Sequence, residues 1–430
     1  MQYTLWFVPS LMTLAAVVLA FVMIRIDREV LADAEIHRQW LFEAGAEGAR
    51  GVLSTIAGTM ITVATTAFSI TIVALQLGSS QFSPRILRGF TRDRGNQVVL
   101  GIFIATFAYT VLVLRSIRSE SSDSEVFVPS ASVSLAILLA FAAIGSLIYF
   151  FHHAARAIQA SVVIERAAED TFTLIDTRLA QDAEGDATVG GDAPAGGDTA
   201  DILARGSGYL ISIDLDTLLD VAESHELVLT IHPQVGDHLL SITPLATIPA
   251  PGVESLSPDD RGALEKEVRK AFRIDMERTV EHDLLLGFRQ LSDIAVKALS
   301  PGINDPTTAS LCIDRIGEAL TRVRGLRADT RFRAAPGGTG GVCYTVIGLD
   351  DILDECIPQI RHFGAGDVLV GERLLTVLGA VAAGAEPRAI VSLAGQARLV
   401  AEEAIGTLAV PADRRRISDA AAWAAADGAA

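Results

Sequence analysis

Four long runs without a single Asp, Glu, Lys or Arg fill the first 151 residues: Leu5–Ile24, Val52–Leu77, Val98–Leu114 and Val126–Phe151. An apolar helix of about 17–25 residues crosses the roughly 30 Å of bilayer hydrocarbon. Lipid offers no partner for backbone amides, so such runs must close their hydrogen bonds internally, as helices do. The chain is therefore expected to carry a four-helix transmembrane bundle in residues 1–151. The first run is read as a retained span, because it lacks a basic leader and a small-residue cleavage site.

Charge divides the chain in the same place. The formal net charge is −17. Residues 1–151 hold ten Arg, ten acids and no Lys, so the excess sits entirely in the later part. An acidic domain repels phosphate backbones, which makes nucleic acid an unfavourable partner. The three cysteines, Cys312, Cys343 and Cys356, are odd in number and show no paired spacing, which fits a reducing compartment and no metal site.

Four spans leave both termini on one side. The loop between the second and third runs carries Arg85, Arg88, Arg92 and Arg94 against Asp93 alone, and basic loops stay cytoplasmic. This basic elbow places the N-terminus and the C-terminal domain in the cytoplasm of a cytoplasmic (inner) membrane protein, with residues 26–50 and 116–125 outside. Pro84 ends or caps the helix before the elbow, and the arginine face beyond it suits lipid headgroups.

The second run has an internal order of its own. Thr55, Thr59, Thr62, Thr66, Ser69, Gln76 and Ser80 recur at alternating steps of four and three, interrupted only by Val73. That spacing sets them on one helix face. Two readings follow: a close helix–helix contact with interhelical hydrogen bonds, or a wet path enclosed by copies of this helix. The second implies a homo-oligomer, and both hide the stripe from acyl chains.

Beyond the membrane, residues 152–180 read as an exit helix, 181–201 as a flexible Gly/Ala/Asp linker and 202–250 as a small β-containing module. Residues 257–410 read as a helical cytoplasmic domain and 411–430 as a disordered tail. The fold class is a mostly α membrane protein followed by a cytoplasmic α+β domain. His225, His232 and His238 with Asp237 match no common metal spacing. A second polar group is His282, Asp283, Arg289, Asp293, Lys297, Asn304 and Asp305. Arg289–Asp293 and Asp293–Lys297 are one turn apart, and Asp305–Pro306 has the form of a helix start. The group is either a salt-laced surface or a buried cluster at a junction or ligand site. No phosphate loop, nucleophile elbow or zinc-hydrolase signature occurs, so neither catalysis nor a cofactor is expected.

Two strings, VALQLGSSQFSPRILRGFTRDRGNQVVLGIFIATFAYTVLVLRSIR and LSDIAVKALSPGINDPTTA, resemble the bacterial family of predicted membrane proteins known as domain of unknown function 2254. The likeness runs over nearly the whole chain. It implies the architecture and the membrane location, and it brings no activity and no catalytic residues. Two functional classes remain. One is an oligomeric membrane protein of channel or transport type. The other is a membrane-tethered scaffold or sensor whose soluble ligand is unspecified.

Overall fold

A computed structural model describes residues 6–29, 45–81, 94–118, 127–157, 159–184, 188–189, 199–249 and 257–426. The chain divides into two compact units, Met1–Val163 and Ile164–Ala430.

The first unit holds four helices: α1 (Phe7–Glu29), α2 (Ala46–Gln81), α3 (Arg94–Ser116) and α4 (Ser130–Ala157). Each is long and apolar enough to cross a membrane. Contacts fix their directions. Gly101 near the start of α3 faces Met12 of α1, and a methyl group there would collide with the Met12 sulfur. Asp27 at the end of α1 and Tyr109 in α3 both meet Ser132 at the start of α4. Arg50 near the start of α2 donates to the Ile117 carbonyl just past α3. Consecutive helices therefore alternate in direction. α3 is the most enclosed of the four, burying Phe103, Tyr109 and Val113 among its neighbours. α2 meets the bundle through Ala49, Leu53, Ala57, Met60, Ala64, Ala67 and Ala74. Mostly alanines, these let backbones approach closely.

Helix α1 runs past the expected end at Ile24 to Glu29, carrying Asp27 into the bundle, where it is 6% exposed. Its carboxylate accepts from Ala131 N at 3.0 Å, Ser132 N at 2.9 Å and Ser132 Oγ at 2.5 Å. A side chain of one span thus supplies the N-terminal cap of another, satisfying amides that have no acceptor within their own helix. Tyr109 Oη donates to the Ser132 carbonyl at 3.1 Å.

The second unit begins with most of α5 (Ala160–Glu184), whose Ile164, Ala167, Ala168, Thr171 and Ile175 form a buried stripe at helical spacing. Further on come β1 (Thr188–Val189), β2 (Thr199–Leu203), β3 (Gly208–Ile213), α6 (Leu215–Ser224), β4 (Val228–Ile231), β5 (His238–Leu239), β6 (Pro244–Pro249), α7 (Pro258–Lys270) and β7 (Phe272–Asp275). The helical part is α8 (Leu284–Ala298), α9 (Pro306–Val323), α10 (Leu349–Gly364), α11 (Val368–Ala382) and α12 (Pro387–Thr407), with β8 (Thr330–Ala334) and β9 (Gly341–Thr345) between α9 and α10. α13 (Pro411–Ala420) and α14 (Ala422–Ala426) close the described chain.

Six strands form one sheet in the order β1-β8-β9-β4-β6-β2, and β5-β3-β7 form another. The segment read as a flexible linker, 181–201, holds the end of α5, all of β1 and the start of β2, and two further features depart from the sequence reading. First, β7, β8 and β9 lie inside the segment read as helical, and β7 pairs with β3 and β9 with β4, so the β structure is assembled from distant parts of the chain. Second, the segment read as a disordered tail is helical over its described residues, Pro411–Ala420 and Ala422–Ala426. Pro411 starts α13, Ile417 is fully buried, and Trp423 Nε1 donates to the Leu375 carbonyl at 3.3 Å. A lone Ile and a Trp in an alanine-rich tail supply enough apolar surface to dock it.

Candidate functional site

The stripe on α2 keeps its register and faces away from its own bundle. Thr55, Thr59, Thr62, Thr66, Ser69 and Gln76 are all exposed, opposite the alanine face that meets α3. Ser80 continues the helix, but its side chain lies outside the described residues, as do Arg85, Arg88 and Arg92. Arg94 opens α3 and is exposed.

Each described stripe hydroxyl is closed onto its own backbone. Thr55 Oγ1 donates to the Gly51 carbonyl at 2.8 Å, Thr59 to Thr55 at 2.7 Å, Thr62 to Gly58 at 2.9 Å, Thr66 to Thr62 at 3.0 Å and Ser69 to Thr65 at 2.8 Å. A carbonyl cannot donate, so the hydroxyl hydrogens are committed inward. What faces outward is a row of hydroxyl oxygens with acceptor capacity and, at Gln76, a carboxamide. Gly51 and Gly58 share this side of the helix, and a methyl group added to either would meet nothing within 4 Å. The face is therefore both polar and shallow.

The polar group of the second unit separates into two arrangements. In the first, charges converge. Asp283 is 1% exposed and bound by both arms of Arg278, at 2.7 and 2.9 Å, while its Oδ1 accepts from Leu286 N to cap α8. Gly236, at φ +103°, passes so close that a methyl group there would lie 2.8 Å from both Arg278 Nη2 and Asp283 Oδ2. Burial opposes the Arg278 charge, but hydrogen bonds and attraction from Asp283, with attraction from Glu355, outweigh it and raise its pKa. Glu355 of α10 also reaches Arg289 at 3.5 Å, and Arg289 pairs with Asp293 at 3.0 Å. Asp283, Arg289 and Asp293 thus all have charged partners within the chain, among them Arg278 and Glu355. Sequence reading missed these last two because they come from the β7–α8 connection and a helix over fifty residues downstream.

The second arrangement is local. Both Asp305 oxygens go to Thr308, Oδ1 to its N–H at 3.0 Å and Oδ2 to its hydroxyl at 2.6 Å. The Thr308 hydroxyl, then its N–H, holds the Asp305 carboxyl below the usual range. Asn304 takes φ +51° in the exposed turn before this cap, while His282 is exposed and Lys297 half-buried. His232 meets Thr247 at 3.1 Å and His238 stacks edge-on against Tyr209, so these histidines do not share a centre. Among the described residues no three His, Cys, Asp or Glu side chains could hold a metal ion. Burial raises the thiol pKa of Cys312, Cys343 and Cys356, leaving them poor nucleophiles.

A family model described as a predicted membrane protein, domain of unknown function 2254, matches residues 2–380. Uncharacterized proteins of Mycobacterium bovis and Mycobacterium tuberculosis are 33% identical to the chain over 387 residues, covering 89% of it and 73% of each relative. No solved structure matches.

Proposed function

The chain belongs to the family of predicted membrane proteins called domain of unknown function 2254, and from this premise we propose that it assembles with copies of itself through the outward face of α2. It is a multi-pass protein of the cytoplasmic membrane with both termini in the cytoplasm. The α2 face lies at the contact between copies or lines a path of channel or transport type. The observation that carries this reading is the direction of the stripe: six polar side chains on a candidate span, including the Gln76 amide, point away from the chain's own bundle. Self-bonded hydroxyls reduce the cost of meeting lipid, but a free carboxamide in hydrocarbon remains unfavourable. The open surface over Gly51 and Gly58 allows the close approach typical of small-residue helix contacts. The alternative, a tethered sensor, draws less support, because Asp283, Arg289 and Asp293 already have partners within the chain.

The test is oxidative cross-linking of the full chain in membranes. Cysteines at Thr59 or Thr62 are expected to form disulfide-linked dimers, whereas one at the exposed Leu14 of α1 or Leu138 of α4 is not. The native thiols are buried and should stay silent. A monomeric mass in nanodiscs, with no linkage at Thr59 or Thr62, overturns the reading.

A further inference from the structure

In the second unit, the helices from α8 onward share one end. α10 runs beside α8 in the same direction: Ser292 Oγ donates to the Cys356 carbonyl at 3.0 Å, and a methyl group on Gly364 would touch Leu299. α12 follows α10 in turn, with Gln396 on Asp354 and Arg361 on Glu403. α9 and α11 also run together, joined by Asp314–Arg373 and by Arg324 on the Ala383 carbonyl. Short connections link α8 to α9, α10 to α11 and α12 to α13, so the ends of the first of each pair meet the starts of the second. Ile303, Leu311, Phe363, Leu369 and Val410 lie at this shared end, 38–52% exposed. Among the described residues from Leu284 onward, the other exposed large apolar side chains are Val391 and Leu399 of α12. Single exposed apolar side chains are ordinary, but a group of them at one end marks an interaction surface.

The same end receives the chain from the membrane. α5 runs parallel to α9, with Glu165 on Arg315 at 2.6 Å and Asp176 on Arg322 at 3.0 Å. The start of α5 at Ala160 therefore stands level with Leu311 of α9. Only residues 158 and 159 separate Ala160 from Ala157, the last residue of α4, a reach of at most about 11 Å at 3.8 Å per step. α4 has 28 residues, about 42 Å at 1.5 Å each, so a bilayer with roughly 30 Å of hydrocarbon leaves its end among the headgroups. We propose that the shared end of the second unit docks on the lipid surface of the bilayer that the chain itself spans, with Ile303, Phe363 and Val410 entering the interface. The charges suit that surface. Asp305 and Asp367 cap α9 and α11, Glu403 is paired with Arg361 and His362, and the first turns of α13 set exposed Arg414 and Arg415 against Asp413. Apolar side chains flanked by arginines sink to the acyl boundary while the guanidinium groups meet lipid phosphates. A bilayer held within reach by the chain is met at high effective concentration, which favours it over a second copy as the occupant. The docking does not depend on how copies assemble through α2.

The experiment uses the full chain, one copy per nanodisc of phosphatidylcholine and phosphatidylglycerol, with a fluorophore on a cysteine at Ile303, Phe363 or Val391. The native thiols are buried and stay unlabelled. Val391 is the control, equally apolar and exposed but near the start of α12, about 24 Å from the shared end at 1.5 Å per residue. Labels at Ile303 and Phe363 are expected to be quenched by brominated lipid and shielded from iodide in the water; the label at Val391 should behave the opposite way. Phe363→Asp should lower the brominated-lipid quenching at Ile303 at least about twofold, because a carboxylate resists entry into the interface. Phe363 is exposed, and an unchanged melting temperature checks that the variant folds; where it does not, Val410→Asp serves with the same expected loss. Brominated-lipid quenching that is equal at all three positions, or absent at Ile303 and Phe363, overturns the proposal. So does shielding from iodide that appears only when a nanodisc holds two copies, since the occupant is then a second chain.

Discussion

Helices α2 and α3 both carry polar side chains through a candidate span, and they sort them in opposite directions. α2 presents Thr55, Thr59, Thr62, Thr66, Ser69 and Gln76 outward, whereas α3 buries Asn96, Gln97, Thr106, Tyr109 and Thr110. The difference lies in what the side chain can do for itself. A Ser or Thr hydroxyl reaches the carbonyl four residues back, as the five described stripe hydroxyls do. Once closed, it tolerates lipid, protein or water. A phenol or a carboxylate cannot close locally, so Tyr109 and Asp27 sit where Ser132 and the α4 amides meet them. Polarity alone therefore does not decide which way a span turns, and self-satisfaction leaves the choice to packing.

The largest test of this contrast is Asp27→Ala. It strips the acceptor from Ala131 N, Ser132 N and Ser132 Oγ at once. At roughly 1–3 kcal/mol for an orphaned buried group, and with some rescue by water, the net loss should be on the order of 3 kcal/mol in detergent unfolding. Asp27→Asn keeps one acceptor oxygen and should lose less. An Asp27→Ala protein as stable as wild type would show that the inward group needs no partner, and the contrast would fail.

A glycine pair probes the same two faces by volume. Gly101→Ala on α3 pushes a methyl group into Met12, and overpacking typically costs about 1–3 kcal/mol, toward the low end here because a Met side chain yields. Gly58→Ala on α2 meets open space, so in isolated protomers it should stabilise by about 0.5–1 kcal/mol through helix propensity. Opposite signs in thermal unfolding of monomeric preparations sharpen the comparison; equal signs break it. If copies meet at Gly58, the same alanine should also weaken assembly.

How much of this was legible follows from what a sequence pattern encodes. Uncharged runs announce the four helices because lipid permits little else. The stripe's period is legible for the same reason, but its direction is not: a period fixes one face relative to another and is silent on which face meets the bundle. Asp27 was hidden because the apolar run breaks at Arg25, although the helix continues through the charges. Asp305 was legible as a cap, since Asp-Pro signals a helix start by local geometry. The Arg278–Asp283 pair was half legible, because its meaning depends on Gly236 closing over it from another strand connection.

Asp305 supplies the soluble counterpart of a self-satisfied side chain, since its carboxylate bonds stay in the first turn of its own helix, chiefly at Thr308. Asp305→Ala should cost about 1 kcal/mol, the ordinary value of a cap. Its folded-state pKa is lowered, so its contribution is complete above the unfolded carboxylate value near about 4 and is lost as pH falls through the lower folded value. Wild type and Asp305→Ala should therefore converge in stability on acidification below about pH 4, read by thermal melts across pH. A difference that persists undiminished there would mean that the cap does not act through the ionised carboxylate.

The smallest effect discriminates most finely. Thr62→Val preserves shape and removes the hydroxyl, and the hydroxyl's hydrogen bond is to Gly58 of its own helix. In a protomer surrounded by lipid this exchanges a self-bonded hydroxyl for a methyl group, so stability should stay within about 0.5 kcal/mol of wild type or rise slightly. Where copies meet, Thr62 Oγ1 can still accept from a neighbour, and losing such an interhelical bond costs about 0.6 kcal/mol at each contact. In a ring that loss repeats at every interface and appears as a shift in the assembly midpoint, with protomer unfolding unchanged. A midpoint that does not move, in an assembly that does form, would place the contact on another face of α2 and leave the hydroxyl row to lipid or water.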